Sequence, residues 1–382
     1  MELLPPRLVL VAALLGWTGA AAEDAWLVEQ RANIRLGAGT DTPVIGELER
    51  GTRVDVESTE PDSGWTLLRP YGAVRTRLLA FSPPDAGDPL AGPFRYVRTR
   101  AKETVLREAP DPDAKVVERH RPGHILAVRD EPTDAGDWLE TPRGEFVLRS
   151  EVKPVEPSPF QGVADPPARL AFLLRKAMPG HAPGEAPEPL ERHAAVEVLD
   201  VGTRVLTVAG TLPRSAVRLA WARPRPPGIG PAERWVHVDT EEQTLTAYEG
   251  DRLVFATLVS TGKQGWETPT GVFRVWLKVR HARMHGHRIR YLVEEVPDIL
   301  WFGHDVAIHA AVWHDRFGTP VSHGCVNLSL ADGEWLFRWA PPPLPDGWHS
   351  LNPAAAGQPT LWVVIEGPTP APHEPAPASA SR

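Results

Sequence analysis

The only cysteine in this chain, Cys325, lies near two histidines, and residues of these types at this spacing could carry out nucleophilic chemistry. Cys325 belongs to the run Ser322-His323-Gly324-Cys325-Val326-Asn327, and His309 precedes it by sixteen residues. A thiol attacks as its thiolate, and because a free cysteine has a pKa of about 8.5, it needs a neighbouring base or a positive field. His309 or His323 could supply that base. Gly324 allows a tight turn whose backbone N–H groups can point at a developing oxyanion.

A lone cysteine is more often a small buried apolar residue than a nucleophile, so the pattern around it decides the interpretation. The stretch resembles the active-site signature of the L,D-transpeptidase (YkuD-type) catalytic domain. In that family a histidine precedes a Ser/Thr-His-Gly-Cys-hydrophobic-Asn/Arg run by a little over a dozen residues. His309 matches the histidine, and 322–327 match the run. The resemblance extends over residues 233–367 and implies an L,D-transpeptidase-type β-sandwich with short helices.

The resemblance also implies a reaction on peptidoglycan stem peptides. Cys325 would attack the carbonyl that joins the third stem residue to the terminal D-Ala, and an acceptor amine would then take the acyl group from the thioester. His309 would serve as general acid and base. Backbone N–H groups of His323, Gly324 and Cys325 would hold the oxyanion, while Ser322 and Asn327 would fix the turn.

Two other functional classes remain open at this stage. Water could hydrolyse the same thioester, which would make the protein an L,D-carboxypeptidase or endopeptidase. Alternatively, the chain could be a wall-binding protein with a vestigial site, although the intact motif argues against this.

A basic segment at residues 278–291 is the candidate for substrate recognition. It contains eight cationic or imidazole side chains and ends at a tyrosine. We interpret it as a loop that is either simply solvated or a lid whose charges hold stem carboxylates. The resemblance implies a tyrosine facing the site, for which Tyr291 is the candidate, with Arg290 beside it. The segment contains no Asp, Glu or Cys, so we expect no metal site there, and no cofactor is expected.

The N-terminal half carries an internal repeat that predicts a mostly β chain. Residues 25–82 and 94–155 match at an offset of 71 to 73 residues, as in Trp65 and Trp138 or Gly72 and Gly144. Short strands with turn signals recur in both. The pattern resembles tandem bacterial SH3-like small barrels. These could grip peptidoglycan or act as spacers, and both interpretations stay open.

Residues 156–232 read as a Pro-rich linker with a possible small β module. Within it, the spacing of Leu170, Leu173 and Leu174 predicts a helix over Ala168–Met178. The apolar runs in 194–221 predict either a third β module or an extra strand pair on the catalytic domain. A hairpin through Glu249-Gly250-Asp251 then opens the catalytic domain.

The N-terminus has the layout of a secretory signal peptide. Arg7 supplies a positive charge, Leu8–Leu15 an apolar core and Ala20–Ala22 a small-residue cleavage site. The apolar run is shorter than the roughly 18 residues of a membrane span. We therefore expect 1–22 to be removed and the protein to be exported to the periplasm or cell envelope without a transmembrane anchor.

The composition of the chain bears on its partners, on disulfide bonds and on its C-terminal residues. The net charge of −8 argues against nucleic acid as a partner, and a single cysteine excludes an internal disulfide. The Pro/Ala-rich residues 368–382 are predicted to be a disordered tail. Oligomeric state stays open.

Overall fold

The computed structural model describes residues 23–83, 94–129, 136–180, 188–286 and 291–368. Short strands dominate these residues, and one α-helix accompanies them. No helix within these ranges has the length and apolar character needed to cross a membrane. The predicted signal peptide and all but the first residue of the predicted tail lie outside the described residues.

The first repeat contains seven short strands with turns between them. They are β1 (Glu23–Leu27), β2 (Arg31–Arg35), β3 (Val44–Glu49), β4 (Arg53–Glu60), β5 (Trp65–Leu68), β6 (Ala73–Arg75) and β7 (Leu79–Ala80). β1 pairs antiparallel with β4 and β7, and β4, β5 and β6 follow as a meander. Buried and exposed residues alternate along β2 and β4, so one face of this small sheet forms a core.

The second repeat shares most of these pairings. Its strands are β8 (Phe94–Thr99), β9 (Thr104–Arg107), β10 (Val116–His120), β11 (Ile125–Arg129), β12 (Trp138–Glu140), β13 (Phe146–Leu148) and β14 (Val152–Val155). β8 pairs with β11 and β14 as β1 does with β4 and β7. β9 pairs with β10 and β13 as β2 does with β3 and β6. The repeat seen in the sequence is therefore also a repeat of strand pairing.

A third unit with related pairing occupies much of the predicted linker. After a short β15 (Val163–Ala164) come β16 (Arg169–Leu173), β17 (Ala195–Val201), β18 (Arg204–Thr207), β19 (Gly210–Pro213) and β20 (Val217–Trp221). β16 pairs with β17 and β20 as β1 does with β4 and β7, and β17, β18 and β19 form the meander. Of the two alternatives for 194–221, the structure contains the separate β module. We call residues 169–221 the third repeat.

The helix predicted over Ala168–Met178 is wrong. Its first half is β16, which is hydrogen-bonded on both sides and buries Leu170 to Leu173. A short run of apolar residues fits a fully buried strand as well as a helix, and periodicity alone does not separate the two. Pairing with β17 and β20, which come much later in the chain, decided the outcome.

The catalytic domain is built from β21 onwards. Its elements are β21 (Arg234–Asp239), β22 (Thr244–Glu249), β23 (Arg252–Leu258), β24 (Gly271–Arg274), β25 (Leu277–His285), β26 (Leu292–Trp301), β27 (Ala307–Ala310), β28 (Val326–Leu328), α1 (Leu330–Trp339), β29 (Trp348–Leu351) and β30 (Trp362–Glu366). One sheet has the order β15-β23-β22-β21-β30-β24. The predicted hairpin is β22–β23. A core of aliphatic and aromatic residues lies between this sheet, α1 and the strands β26 to β28.

The segment predicted as a basic loop is mostly strand. Residues 277–285 are β25, which pairs along most of its length with β26. Lys278 is completely buried, and its ammonium donates to three carbonyls, those of Phe337, Ala340 and Pro342. The loop prediction is wrong. From sequence alone, a basic strand with one buried lysine cannot be distinguished from a solvated basic loop.

The N-terminal repeats and the catalytic domain share one extended sheet. β29 pairs with β25 on one side and with β3 of the first repeat on the other. β11 of the second repeat pairs parallel with β26 at Ile125 and Val293. The second repeat is thus hydrogen-bonded directly to the β25–β26 hairpin, which carries Tyr291 just before β26, and the first repeat is joined to that hairpin through β29.

Candidate active site

Cys325 and His309 are brought together by two neighbouring parallel strands. His309 lies on β27, and Cys325 immediately precedes β28. The two strands are in register at Ile308 and Val326 and at His309 and Asn327. Both functional side chains line one cavity of about 500 Å³. The predicted pair is therefore assembled at one site.

The thiol of Cys325 lies in surroundings that disfavour its charged form. Cys325 is partly buried, and burial raises the pKa of its thiol to about 11, although the backbone N–H of Ala307 donates to the sulfur and opposes the shift. The resting site therefore holds a neutral thiol at pH 7. It needs a base to become a nucleophile.

His309 has the protonation state and tautomer of a base. Its Nδ1 lies 2.9 Å from the carbonyl oxygen of Ala310, which places the proton on Nδ1 and leaves Nε2 as the acceptor. His309 is 3% exposed, and this burial lowers its pKa to about 4. The ring of Trp313 packs against it at 5.8 Å between centroids. At neutral pH the imidazole is uncharged and able to take a proton.

The turn before Cys325 is held by the hydroxyl of Ser322. This hydroxyl donates to the carbonyl of Cys325 and accepts the backbone N–H of Gly324 at 3.1 Å. Thr268 also donates to the Gly324 carbonyl, at 2.8 Å. Gly324 has a φ of 121°, a conformation that side-chain-bearing residues rarely adopt. Ser322 therefore organises the turn, as predicted.

The Gly324 N–H is engaged by this turn, which corrects its predicted role as an oxyanion donor. The backbone N–H groups of His323 and Cys325 have no acceptor among the described residues. They remain the candidates for an oxyanion hole.

His323 is held by its neighbours in a way that argues against its serving as the base. Its Nε2 lies 2.8 Å from the ammonium of Lys263 and therefore accepts a hydrogen bond from it. Burial and the charge of Lys263 both lower its pKa. Its ring stacks on Tyr291 at 5.4 Å and 11°, with the edge of Trp266 at 5.2 Å. The choice between the two histidines left open by the sequence therefore favours His309.

Tyr291 lies at the cavity, as predicted. Burial, and then the nearby Cys325, raise the pKa of its phenol, so the hydroxyl stays protonated and can donate a hydrogen bond. Arg290, the other predicted substrate-binding residue in this segment, lies outside the described residues.

Asn327 pairs with a histidine that the sequence analysis did not select. The Nε2 of His314 lies 3.1 Å from the side-chain amide of Asn327, while Nδ1 of His314 accepts the backbone N–H of Arg316. A neutral His314 then carries its proton on Nε2 and needs an oxygen opposite it. If the amide oxygen and nitrogen of Asn327 are exchanged, the oxygen faces His314 Nε2 and accepts its proton in a hydrogen bond. In the other orientation, the same oxygen is buried without a partner. Asn327 thus anchors β28 to the His314 loop.

The second repeat contributes to the cavity wall. Arg98, Gly123 and Ile125 line the same cavity as Cys325. The guanidinium of Arg98 donates to the backbone carbonyl of Trp313 at 2.9 Å. No motif marks these residues in the sequence, because their role arises from the β11–β26 pairing.

Residues 233–365 match the family model of the YkuD L,D-transpeptidase catalytic domain. This L,D-transpeptidase domain contains Cys325, His309 and the whole predicted signature. The match does not extend to residues 25–155, so the SH3-like nature of the first two repeats stays a prediction.

Known proteins resemble the chain over similar parts. The putative L,D-transpeptidase YciB of Bacillus subtilis is 22% identical over 195 residues, which are 44% of this chain and 93% of YciB. An L,D-transpeptidase structure from Stackebrandtia nassauensis is 23% identical and covers 40% of this chain and 62% of its own, with a TM-score of 0.28. One from Mycobacterium smegmatis is 19% identical and covers 56% and 89%, with a TM-score of 0.30. The chain thus spans less than two thirds of the Stackebrandtia protein.

Proposed function

We propose that the protein is an exported L,D-transpeptidase that remodels peptidoglycan through a thioester on Cys325. The observation that carries this proposal is the pairing of Cys325 with His309 at one cavity, inside the domain that matches the family. The Ala310 carbonyl holds the imidazole with Nε2 unprotonated, as a general base requires.

The acylation half-reaction follows from these residues. His309 Nε2 takes the proton of the Cys325 thiol as the sulfur attacks the carbonyl between the third stem residue and D-Ala. The backbone N–H groups of His323 and Cys325 stabilise the oxyanion. The C–N bond then breaks, His309 returns its proton to the leaving amine of D-Ala, and a thioester remains.

Deacylation reverses these proton movements. The amine of a neighbouring stem attacks the thioester and gives its extra proton to His309, and the Cys325 sulfur leaves and is reprotonated. An amide has replaced an amide, so no external energy source is needed.

The protonation states favour proton transfer during attack over a resting ion pair. The pKa of Cys325 is raised to about 11 and that of His309 lowered to about 4. With these values, a thiolate–imidazolium pair is scarcely populated before substrate binds. The thiol therefore loses its proton as the carbon–sulfur bond forms.

The deciding experiment is intact-mass spectrometry of the mature protein incubated with a stem tetrapeptide, with and without an acceptor peptide. A transpeptidase accumulates an acyl-enzyme lacking D-Ala and forms a cross-linked product when acceptor is added. Release of a tripeptide with no cross-link would show an L,D-carboxypeptidase instead. A wall-binding protein with a vestigial site would form no adduct.

A further inference from the structure

The cavity that contains Cys325 is rich in positive charge. Three cationic side chains, those of Arg98, Lys263 and Arg316, line it, and Asp305 is the acidic residue in the described lining. Lys263 is engaged with His323, and Arg316 is exposed. Arg98 differs from both because it comes from the second repeat and is partly buried.

The position of Arg98 is fixed by main-chain pairing. Arg98 lies on β8 opposite Ile125 of β11, and Ile125 in turn pairs with Val293 of β26. The guanidinium then reaches across to donate to the carbonyl of Trp313 at 2.9 Å. Trp313 packs on the catalytic His309. The catalytic loop and the second repeat are therefore joined through this one side chain.

The guanidinium of Arg98 has N–H donors beyond the one that binds the Trp313 carbonyl. The hydrogen bond that its side chain makes within the described residues goes to one neutral carbonyl, that of Trp313. An arginine has five N–H donors in a planar fork that matches a carboxylate in two-point geometry. A partly buried arginine that faces a cavity and donates to a neutral carbonyl is suited to an anionic ligand.

We propose that Arg98 binds a carboxylate of the stem peptide, so that the second repeat forms part of the substrate site and not a separate wall-binding unit or spacer. This inference rests on the proposed function for the identity of the ligand. Lys263 adds a second positive charge to the lining of the same cavity, and the neutral Trp313 carbonyl holds the guanidinium in place before substrate arrives.

The test measures binding without turnover. Calorimetry on the Cys325→Ser protein compares a stem tetrapeptide with peptides in which each carboxylate in turn is a carboxamide. Arg98→Gln removes the charge but keeps an N–H that can donate to the Trp313 carbonyl. Arg95→Ala is the matched control, because Arg95 is an exposed arginine of the same strand that lies outside this cavity.

We expect Arg98→Gln to weaken binding of the tetrapeptide about 10- to 100-fold, the range of a charge-assisted hydrogen bond. Amidation of one particular carboxylate should weaken binding to the Arg98 protein similarly and add little to Arg98→Gln. Arg95→Ala should leave the affinity unchanged. Equal losses for every peptide, amidated or not, or no loss at all, would overturn the subsite.

Different results would refute the transpeptidase activity and the Arg98 subsite. If the tetrapeptide binds with this Arg98 dependence but the wild-type protein forms no thioester, the subsite stands and the transpeptidase activity does not. If thioester forms and cross-links while Arg98→Gln binds every peptide as tightly as the parent, the activity stands and the subsite is refuted.

Discussion

The Nδ1 of His309 donates to the carbonyl oxygen of Ala310, the next residue in the chain, at 2.9 Å. This one hydrogen bond sets the tautomer of the imidazole that we propose as the base, without any other side chain. A residue of any type at position 310 offers that carbonyl. The side chain of residue 310 is therefore free to serve packing, and Ala310 is completely buried.

The roles of Cys325 and His309 predict different responses to substitution. Cys325→Ser should reduce acylation by the stem tetrapeptide below detection, because an alcohol is a far weaker nucleophile under the same base. His309→Ala should slow acylation at pH 7 by about 10²- to 10⁴-fold. Its rate should then rise with pH towards the thiol pKa of about 11, as thiolate forms without help. A pH-independent residual rate would argue that another group deprotonates Cys325.

The pKa of His309 predicts the acid limit of activity. Burial lowers this pKa to about 4, so the imidazole stays neutral and basic well below pH 6.5, where an ordinary histidine would be half protonated. We expect kcat/KM to fall only as the pH drops towards 4. The pH profile of kcat/KM should be measured with a substrate whose own charge does not change between about pH 4 and pH 6.5. A midpoint near 6.5 would show that the site is more open to water than its geometry indicates.

The turn before Cys325 separates the roles of Ser322 and His323. Ser322→Ala removes both hydrogen bonds that shape the turn, and we expect acylation to fall about 10- to 100-fold, with Ser322→Thr restoring part of the rate. His323→Ala keeps its backbone N–H and should cost less than Ser322→Ala. Acylation rates from intact mass distinguish the two, and abolition by His323→Ala alone would reassign the base.

A partly buried ionic cluster links the first repeat to the catalytic domain and predicts a pH dependence of stability. Glu49 of β3 lies 3.2 Å from His281 of β25 and 3.2 Å from His349 of β29. Burial opposes charge on His281, but hydrogen bonds to Glu295 and Glu49 outweigh it and raise the pKa of His281 to about 9. The stabilisation from His281 is complete below about pH 6.5 and is lost as the pH rises through 9.

Glu49 contributes on the acid side. Burial raises the pKa of its carboxyl, but the contacts with His281 and His349 outweigh this and hold the pKa far below its usual range. Its stabilisation is present above about pH 4.5 and is lost as the pH falls. Glu49→Gln should therefore lower the free energy of unfolding by about 2 kcal/mol near pH 6 and flatten part of the alkaline limb, because Glu295 still pairs with His281. Chemical denaturation at several pH values tests this, with Glu47→Gln, at a more exposed glutamate of the same strand, as control. An unchanged alkaline limb would contradict the assignment.

The catalytic pair and the closing elements of its domain could be predicted from local sequence. The Ser-His-Gly-Cys-Val-Asn run and the histidine upstream of it are recognisable in the sequence, and the glycine in the run predicts a tight turn. The helix α1 begins directly after Ser329, whose side chain accepts the N–H of Asp332, a capping pattern that lies within four residues of sequence. The β22–β23 hairpin follows from alternation around Gly250. In each case the deciding interactions lie a few residues apart.

Tertiary structure alone decided the rest, because the deciding partners are far apart in the chain. The residues of β16 become a strand since β17 and β20 pair with them, and Lys278 is buried because helix α1 ends beside it with free carbonyls. Arg98 reaches the cavity only through the β11–β26 pairing, more than 150 residues apart in sequence. The local sequence identifies the residues that we propose to react, and long-range strand pairing decides which residues surround them.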